Sequence, residues 1–498
     1  MTDLFKEEGP EDKGPAGSVS RRQFLKIAGV AGVTIGVGAG LGGALAACGS
    51  STTTTSAAPA TTASTTGTTA AAETTTTAAA ETTTSVSAGA EAGREIKIGN
   101  PLPITGVLAS FGAYEKWADG LSQKALGEGL VLGDGKMHKI TIITADTQSD
   151  SNRAAQVAGD MITNDKVDIL ISSGTPDSVN PTADQAEALQ CPMLGTNDPM
   201  EAFIFGRSMK ADTVQTYPYG LLFGVDQELV TQPMAFDKVK TNKKLGILLA
   251  NEVDGNTWAG VLPAGFAKLG YEVTFPQQYV PGSEDFTAQI AEFKKAGCEI
   301  LTGTHYANDF TNFWKQSLQQ GFKPKLVFTG GKCFSDFSFP KALGDTAVGF
   351  MANWLLHKTF TYTDSLTGKT VAELCDQYEA DTNDEWSENV GVQTARSWAV
   401  DVLKRATNPD DKATIVAAIK ATKLETLYGP IDFTEPVSAT GRHPFANVCK
   451  AVTTTIQCVK GADAKPTANT KFKYDANVVG ADFLDGLPTY QTIEQNYA

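Results

Sequence analysis

The chain is poor in the residues that most enzymes use for proton transfer and metal binding. Only four histidines occur among 498 residues, and they are His138, His305, His357 and His443. None of them stands in an HExxH pattern or at another spacing typical of metal ligands. Neither a GxSxG nucleophile motif nor a GxxxxGK[ST] phosphate loop is present. We therefore expect a protein that is not an enzyme and that uses neither a cofactor nor a metal ion.

Basic residues are also in deficit, since 41 Lys and Arg stand against 56 Asp and Glu for a formal net charge of −15. Nucleic acids and anionic membrane surfaces attract excess positive charge, so neither is expected as a direct partner. Hydrophobic residues make up 41% of the chain, which is enough for a substantial core. Because the chain is longer than a typical single domain, we expect two lobes.

Cysteine is scarce and no CxxC pair occurs, which disfavours a zinc or redox site. After Cys48 the chain has six cysteines, namely Cys191, Cys298, Cys333, Cys375, Cys449 and Cys458. Disulfides become possible if the protein is exported. A bridge between Cys449 and Cys458 would join two strands predicted near the C-terminus, and buried free thiols are the alternative.

The first 48 residues have the features of an export signal. Paired arginines in "SRRQFLK" precede a mildly apolar run, Ile27 to Ala47, which ends in "LAAC" at Cys48. This pattern is typical of a twin-arginine signal with a bacterial lipobox, and it predicts a lipid on Cys48. A transmembrane anchor is the alternative reading, but seven glycines in the run lower its hydrophobicity and helix propensity.

Residues 49–93 are mostly Thr, Ala and Ser, with almost no large apolar side chains. Such a composition cannot offset the entropy lost on ordering, so we expect a flexible stalk. Together, signal and stalk predict an exported, extracytoplasmic protein that contacts the cell membrane only through its lipid.

From about residue 95 onward, β-branched runs alternate with amphipathic helical stretches, which is the pattern of parallel α/β sheets covered on both faces. One predicted crossover helix lies in "PGSEDFTAQIAEFKKAG". Ser283 is its expected N-cap, Phe286, Ile290 and Phe293 form its core-facing stripe, and Gly297 is expected to end it.

Polar residues collect at the carboxyl ends of several predicted strands, where ligands bind in open α/β sheets. They include Ser172, Ser173 and Gly174 after "VDILI", Thr196 and Asn197 after "CPML", His305 and Tyr306 after "EILTGT", and Lys332 after "KLVFTGG". Each loop alone is consistent with ordinary turn residues, but four such loops in two lobes favour a binding cleft.

Several segments resemble the solute-binding proteins of ABC transporters for branched-chain amino acids and amides. The resemblance is carried by "IKIGNPLPITGVLASFG", "ADTQSD", "VDILISSGT", "TNDP", "YGPIDF" and, most specifically, "PGSEDFTAQI". It implies a type I periplasmic-binding fold with two α/β lobes, mostly parallel sheets flanked by helices, three hinge crossings and a ligand enclosed by closure. The implied lobes are 95–225 with 350–436, and 226–349 with 437–498.

The resemblance also implies roles for individual residues. Ser172, Ser173, Gly174, Thr196 and Asn197 would hold a ligand carboxylate or amide, Phe111 would form a wall, and Tyr306 would close from the second lobe. Amino-acid binders of the family have a glutamate near the position of Lys332, where it pairs with the ligand ammonium. A lysine there disfavours an amino acid, so we hypothesise an anionic solute. Trp258 and Trp354 are candidate walls, and Asp336 could restore the missing negative charge. A solvated lysine at the cleft rim is the alternative.

The function expected from these features is that of a monomeric, lipid-anchored receptor. It would capture a small amino-acid-like, amide or organic-acid solute and deliver it to an ABC permease and its ATPase. A ligand-sensing lipoprotein of the same fold is the alternative, and a secreted hydrolase is less favoured because no nucleophile and base can be paired.

Overall fold

The computed structural model describes residues 89–439 and 441–484 together with Ile493 and Tyr497. The predicted signal, its lipidation site Cys48 and nearly all of the stalk lie outside the described residues. Within the described part, no helix combines the length and apolar character needed to cross a bilayer.

Alternating strands and helices make up most of the described chain. The strands are β1 Ile96–Leu102, β2 Leu130–Val131, β3 Met137–His138, β4 Ile140–Asp146, β5 Ile169–Ser173, β6 Met193–Pro199, β7 Pro218–Phe223, β8 Lys244–Leu249, β9 Glu272–Thr274, β10 Ile300–Thr304, β11 Leu326–Val327, β12 Met351–Trp354, β13 Lys423–Thr426, β14 Gly429–Asp432, β15 Val448–Lys450, β16 Thr454–Lys460 and β17 Tyr474–Gly480. The α-helices are α1 Glu115–Leu126, α2 Ser151–Thr163, α3 Pro176–Ala188, α4 Val225–Phe236, α5 Val253–Lys268, α6 Thr287–Ala296, α7 Ala307–Gln320, α8 Ser338–Leu343, α9 Val371–Thr382, α10 Gln393–Arg405 and α11 Lys412–Lys420.

The first sheet has six strands in the order β15-β7-β6-β5-β1-β4, all of them parallel. Its central strand β5 is buried over most of its length because helices cover both faces. The helices form for local reasons. In α2, the side chain of Asp150 accepts a hydrogen bond from the backbone N–H of Arg153 at 2.7 Å and caps the first turn.

The second sheet has the parallel order β11-β10-β8-β9. A parallel bridge between Phe328 and Met351 continues it into β12, which pairs in antiparallel fashion with β16, and β16 pairs with β17. Each of the two sheets is mostly parallel and flanked by helices. This is the predicted fold class.

The chain passes between the two sheets near Gly224, after β12 and between β15 and β16. Strand pairing differs from the implied lobe division at two points. Strand β12 pairs within the second sheet, because it extends β11 through the Phe328–Met351 bridge, although residues 350–436 were assigned to lobe 1. Strand β15 completes the edge of the first sheet beside β7, although residues 437–498 were assigned to lobe 2. The lobe division itself stays a prediction.

The predicted crossover helix is present, but it begins at Thr287 rather than directly after Ser283. The hydroxyl of Ser283 donates to the Val280 carbonyl at 2.6 Å, and Asp285 accepts from the Thr287 N–H at 2.9 Å. The helix ends at Gly297 with a φ of 71°, and Phe286, Ile290 and Phe293 are fully buried as expected.

The suggested bridge between Cys449 and Cys458 is not formed. Cys449 lies in β15 of the first sheet, whereas Cys458 lies in β16 beside β12, so the two strands do not pair. All six cysteines from Cys191 to Cys458 are buried free thiols, which is the alternative that the sequence left open.

Candidate functional site

A small cavity of about 20 Å³ is lined by residues that follow strands of both sheets. Its walls are formed by Phe111, Gly174, Thr175, Pro176, Asn197, Pro199, Phe223, Asp254, Trp258, Thr304, Gly331, Lys332, Asn353 and Glu388. Because the carboxyl ends of parallel strands face one edge of a sheet, the loops after β5, β6, β10 and β11 reach the same space.

The wall on the side of the first sheet is built from the turns after β5 and β6. Gly174 has a φ of 128°, a conformation that favours glycine, and it leads through Thr175 into the N-terminus of α3. Asn197 adopts a left-handed φ of 57° in the irregular end of β6. Phe111 stands over Gly174, where an added Cβ would lie 3.9 Å from the aromatic side chain.

The wall on the side of the second sheet is built on α5 and on the ends of β10 and β11. Trp258 and Asp254 lie on α5, and the hydroxyl of Thr304 donates to Asp254 Oδ2 at 3.1 Å. The backbone N–H of Gly331 donates to Asn353 Oδ1 at 2.7 Å and fixes the turn that presents Lys332.

The ammonium of Lys332 is surrounded by three carboxylates. Its Nζ lies 3.2 Å from Glu252 Oε1, 3.6 Å from Asp177 Oδ2 and 3.6 Å from Asp254 Oδ2. The same Nζ stands 4.2 Å from the centroid of the Tyr306 ring, within cation–π distance. We call Asp177, Glu252, Asp254 and Tyr306 the lysine cage. Only 3% of the Lys332 side chain is exposed, so the residue is not a solvated rim lysine.

Two helix N-termini supply the carboxylates of the lysine cage. Glu252 caps α5 by accepting from the N–H groups of Asp254 at 2.8 Å and Gly255 at 2.9 Å. Asp177 lies in the first turn of α3 and accepts from the Thr175 hydroxyl at 3.1 Å. Negative side chains are favourable at such positions because of the helix dipole. Asp177 follows a strand of the first sheet, and Glu252 follows a strand of the second. Lys332 therefore pairs with carboxylates from both sheets.

Burial and charge set the protonation of this site. Burial alone lowers the pKa of Lys332, but Glu252, Asp177 and Asp254 outweigh it and hold that pKa well above its ordinary value. Burial raises the pKa of Asp254 to about 6, with Lys332 opposing and Glu252 and Asp177 adding to the rise. Burial likewise raises the pKa of Asp198 well above its usual range, and Asp254 and Asp177 raise it further. Lys332 is therefore charged, and burial favours the protonated forms of Asp254 and Asp198.

Three polar atoms of the cavity lining lack a hydrogen-bond partner among the described residues, and they are Asp254 Oδ1, Trp258 Nε1 and Lys332 Nζ. The contacts of Lys332 with its carboxylates are ion pairs that lack hydrogen-bond geometry. Buried polar groups are seldom left without a partner in native proteins. A molecule in the cavity that accepts from Trp258 and donates to Asp254 would satisfy these groups.

The structure brings together four of the eight predicted ligand-binding residues, since Phe111, Gly174, Asn197 and Lys332 line the cavity. The other four lie next to them. Ser172 and Ser173 precede Gly174, Thr196 precedes Asn197, and Tyr306 packs against Lys332. The hydroxyls of Ser172 and Thr196 are buried and have no hydrogen-bond partner in the described part of the chain.

Two further candidates have other roles. Trp354 is fully buried and its Nε1 donates to the Phe334 carbonyl at 2.6 Å, so it belongs to the core. Asp336 accepts from the Ser338 N–H at 2.8 Å in the turn before α8 and is not among the carboxylates that pair with Lys332. Trp258 does line the cavity, as hypothesised.

Sequence reasoning missed the three carboxylates of the lysine cage. Asp177 follows the loop "ISSGTPD", and Glu252 and Asp254 follow β8 in "ANEVDG". Polar residues at the carboxyl ends of predicted strands were chosen as site candidates elsewhere in the chain, and the same rule would have selected these two segments. Each acid on its own looks like an ordinary helix cap, and their convergence on one lysine required the fold.

Comparison with known proteins agrees with this architecture. A model of the family described as "Periplasmic binding protein" matches residues 95–448. Leu/Ile/Val-binding protein homolog 8 of Brucella abortus is 24% identical over 244 residues, 48% of this chain, and the match spans only 59% of that relative's length.

Two solved structures show the same fold at low identity. A leucine-binding protein LivK from Thermotoga maritima has a TM-score of 0.61 and 16% identity, with 77% of this chain and 98% of that chain covered. A solute-binding protein of an ABC transporter from Rhodopseudomonas palustris BisB5, in complex with 3,4-dihydroxybenzoic acid, has a TM-score of 0.57 and 18% identity, with 77% and 98% covered. By its matched segment and its type I fold, the chain belongs to the periplasmic binding protein family.

Proposed function

We propose that the protein is an extracytoplasmic solute-binding receptor of an ABC importer. It captures one small solute in the cavity between its two sheets, closes around it, and delivers it to a membrane permease and ATPase. Ligand binding would shift the hinge equilibrium toward a closed form that the permease recognises. A lipid on Cys48 and the stalk would hold the receptor, as a monomer, near the membrane.

The observation that carries this proposal is the cavity itself. Residues after strands of both sheets enclose it, and three residues of its lining have a buried polar atom without a partner among the described residues. The chain passes between the sheets three times, and such crossings allow the walls to separate. The known relatives support solute capture but not one solute class, because their names mention branched-chain amino acids as well as an aromatic acid.

The decisive experiment is to identify what the purified protein carries. Mass spectrometry of denatured protein should release one small molecule in near-stoichiometric amount, and adding that molecule to ligand-free protein should raise the melting temperature. Amino acids, amides and organic acids then form the panel for thermal shift and calorimetry. A protein that carries nothing and responds to no member of the panel would contradict the receptor function.

A further inference from the structure

The lysine cage has the composition of a binding site for a primary ammonium ion. Three carboxylates and the face of an aromatic ring surround one position, and both kinds of group attract cations. In this chain the position is already filled by Nζ of Lys332, a residue of the protein itself. The cation that such a cage requires is therefore covalently attached, and a solute does not need to bring one.

The cage also does not offer Lys332 to an anion. Three carboxylates already contact the ammonium, so they outnumber it, and a solute carboxylate would approach an excess of negative charge. Burial also raises the pKa of Asp254 to about 6, so below that pH the cluster loses part of its excess negative charge without a second cation.

The two remaining unpartnered atoms of the lining define what the solute must offer. Trp258 Nε1 is a donor without an acceptor, and Asp254 Oδ1 lacks a partner for its free lone pairs. A solute with one hydrogen-bond acceptor and one donor, and without formal charge, satisfies both. The apolar walls from Phe111, Phe223 and Trp258 suit a small hydrocarbon portion.

Building on the proposed function, we propose that Lys332 is a built-in occupant of the cation site in the cleft and that the cavity therefore selects an uncharged polar solute. This differs from the anionic solute that the sequence suggested. From the sequence, Lys332 was expected to pair with the solute. In the structure it pairs with Asp177, Glu252 and Asp254.

Chemical rescue tests the occupancy. Lys332→Ala should vacate the cage and lower the melting temperature, and n-propylammonium chloride, which matches the three carbons and ammonium removed, should restore about half of the loss or more in a saturable manner. Propanol and potassium chloride should not restore it, and the wild type should not respond to propylammonium. Lys341→Ala is the matched control, because Lys341 pairs with Asp384 and Glu385 while its side chain is 44% exposed, so its loss leaves no enclosed vacancy. Rescue that is absent from Lys332→Ala, or equal in Lys341→Ala, overturns the proposal.

Lys332→Met keeps the test decisive if the alanine variant does not fold. Methionine fills the space without charge and leaves the three carboxylates without their cation. Its deficit in melting temperature relative to the wild type should therefore grow between pH 5 and pH 8, as the carboxyl groups ionise. A deficit that does not change with pH would show that Lys332 serves packing alone and would overturn its role as counter-ion.

Solute class is tested separately with molecules that share one isobutyl group. Isovaleramide should raise the melting temperature of the wild type, whereas isovalerate, isopentylammonium and L-leucine should not. A co-purified solute with an ammonium or a carboxylate, or a response to any charged probe, overturns the selection of uncharged solutes while leaving the receptor function intact. Failure to bind any solute counts against the receptor function and against the selection of uncharged solutes. The rescue experiment still decides the role of Lys332 in that case.

Discussion

At the scale of single residues, two buried tryptophans invite direct comparison. Trp258 lines the cavity, whereas Trp314 packs among aromatic residues of the core, including Phe310 and Phe350. Both are about 1% exposed, and neither indole Nε1 has a hydrogen-bond partner in the described part of the chain. The two positions thus differ mainly in that Trp258 belongs to the cavity wall and Trp314 to the aromatic core.

Trp258→Phe should weaken binding of the co-purified solute about tenfold, since it removes one buried donor worth about 1–2 kcal/mol while keeping a ring. Calorimetry on ligand-free protein measures the change. Trp314→Phe is the matched control and should lower stability to a similar extent without altering affinity. Equal affinities for Trp258→Phe and the wild type would show that no solute group accepts from this indole.

Glu228 on α4 is a second residue with a measurable signature. It is fully buried, and burial, aided by the neighbouring acids Glu201 and Asp226, raises its pKa to about 8. Gln232 and Thr453 donate hydrogen bonds to its carboxylate and oppose that rise. An acid whose pKa is higher in the folded state destabilises the fold increasingly as pH rises from its unfolded pKa to its folded one.

Glu228→Gln should therefore raise the melting temperature at pH 9 by about 3 °C, while changing it little at pH 4.5. Glutamine keeps the shape of the side chain and cannot ionise. Glu292→Gln, at an exposed position of α6, is the control and should have no pH-dependent effect. A Glu228→Gln variant that gains nothing at high pH would mean that the carboxyl group is ionised without penalty.

The sequence was sufficient to predict that Lys332, Gly174 and Asn197 lie at one cavity, because each follows a strand end that parallel topology directs to the same edge of its sheet. It was insufficient for the lysine cage. Asp177, Glu252 and Lys332 are far apart in the chain, and their contacts depend on how the two sheets approach each other. A local sequence motif can predict that an acidic residue caps a helix. It does not predict which distant charged residue that carboxylate contacts.

At the scale of elements, helix α5 couples local geometry to the site. Its N-terminus presents Glu252 and Asp254 to Lys332, and two of its glycines have contrasting surroundings. A Cβ at Gly255 would lie 2.0 Å from the Ala250 carbonyl oxygen, whereas a Cβ at Gly260 would meet no heavy atom within 4 Å in the described part of the structure. The start of α5 is thus held close to β8, while its middle is open.

Gly255→Ala should destabilise the protein by about 2 kcal/mol and reduce solute affinity, because the clash displaces the N-terminus of α5 from Lys332. Gly260→Ala should stabilise it by up to about 1 kcal/mol and leave affinity unchanged, since alanine favours helix. Denaturant unfolding and calorimetry measure both effects. Equal behaviour of the two variants would show that the start of α5 does not need its close approach to β8.

Element types were largely predictable, whereas boundaries were not. The stripe of Phe286, Ile290 and Phe293 and the terminal Gly297 identified α6 correctly. Its start was wrong because Ser283 bonds the Val280 carbonyl within a turn, leaving Asp285 to accept from the first helical N–H group. Serine serves turns and caps alike, so local sequence does not distinguish the two.

At the scale of the whole molecule, the segments that cross between the sheets contact one another through hydrogen bonds to backbone carbonyls. The N–H of Ala451 donates to the Leu222 carbonyl at 2.8 Å, and the hydroxyl of Thr454 donates to the Trp354 carbonyl at 3.0 Å. These contacts tie three separate crossings into one region. Across the cavity, by contrast, the ion pair between Asp177 and Lys332 connects the two sides of the cavity through side chains. These side chains can separate when the two sides of the cavity move apart.

Asp177→Asn should shift the free protein toward an open form, because it weakens an ion pair that exists only while the walls are together. We expect a larger radius of gyration in small-angle scattering and solute affinity lower by about three- to tenfold, corresponding to about 1 kcal/mol of lost closure energy. Saturating solute should restore the radius of the wild type.

Asp184→Asn is the matched control for this closure. Asp184 lies on the same helix α3, but it pairs at 2.7 Å with Arg207, which follows a strand of the same sheet, so its loss removes an ion pair within one layer. Its radius of gyration and affinity should equal those of the wild type. If both variants expand equally, or neither does, the pair between Asp177 and Lys332 does not govern closure, and the walls must be held by the backbone crossings alone.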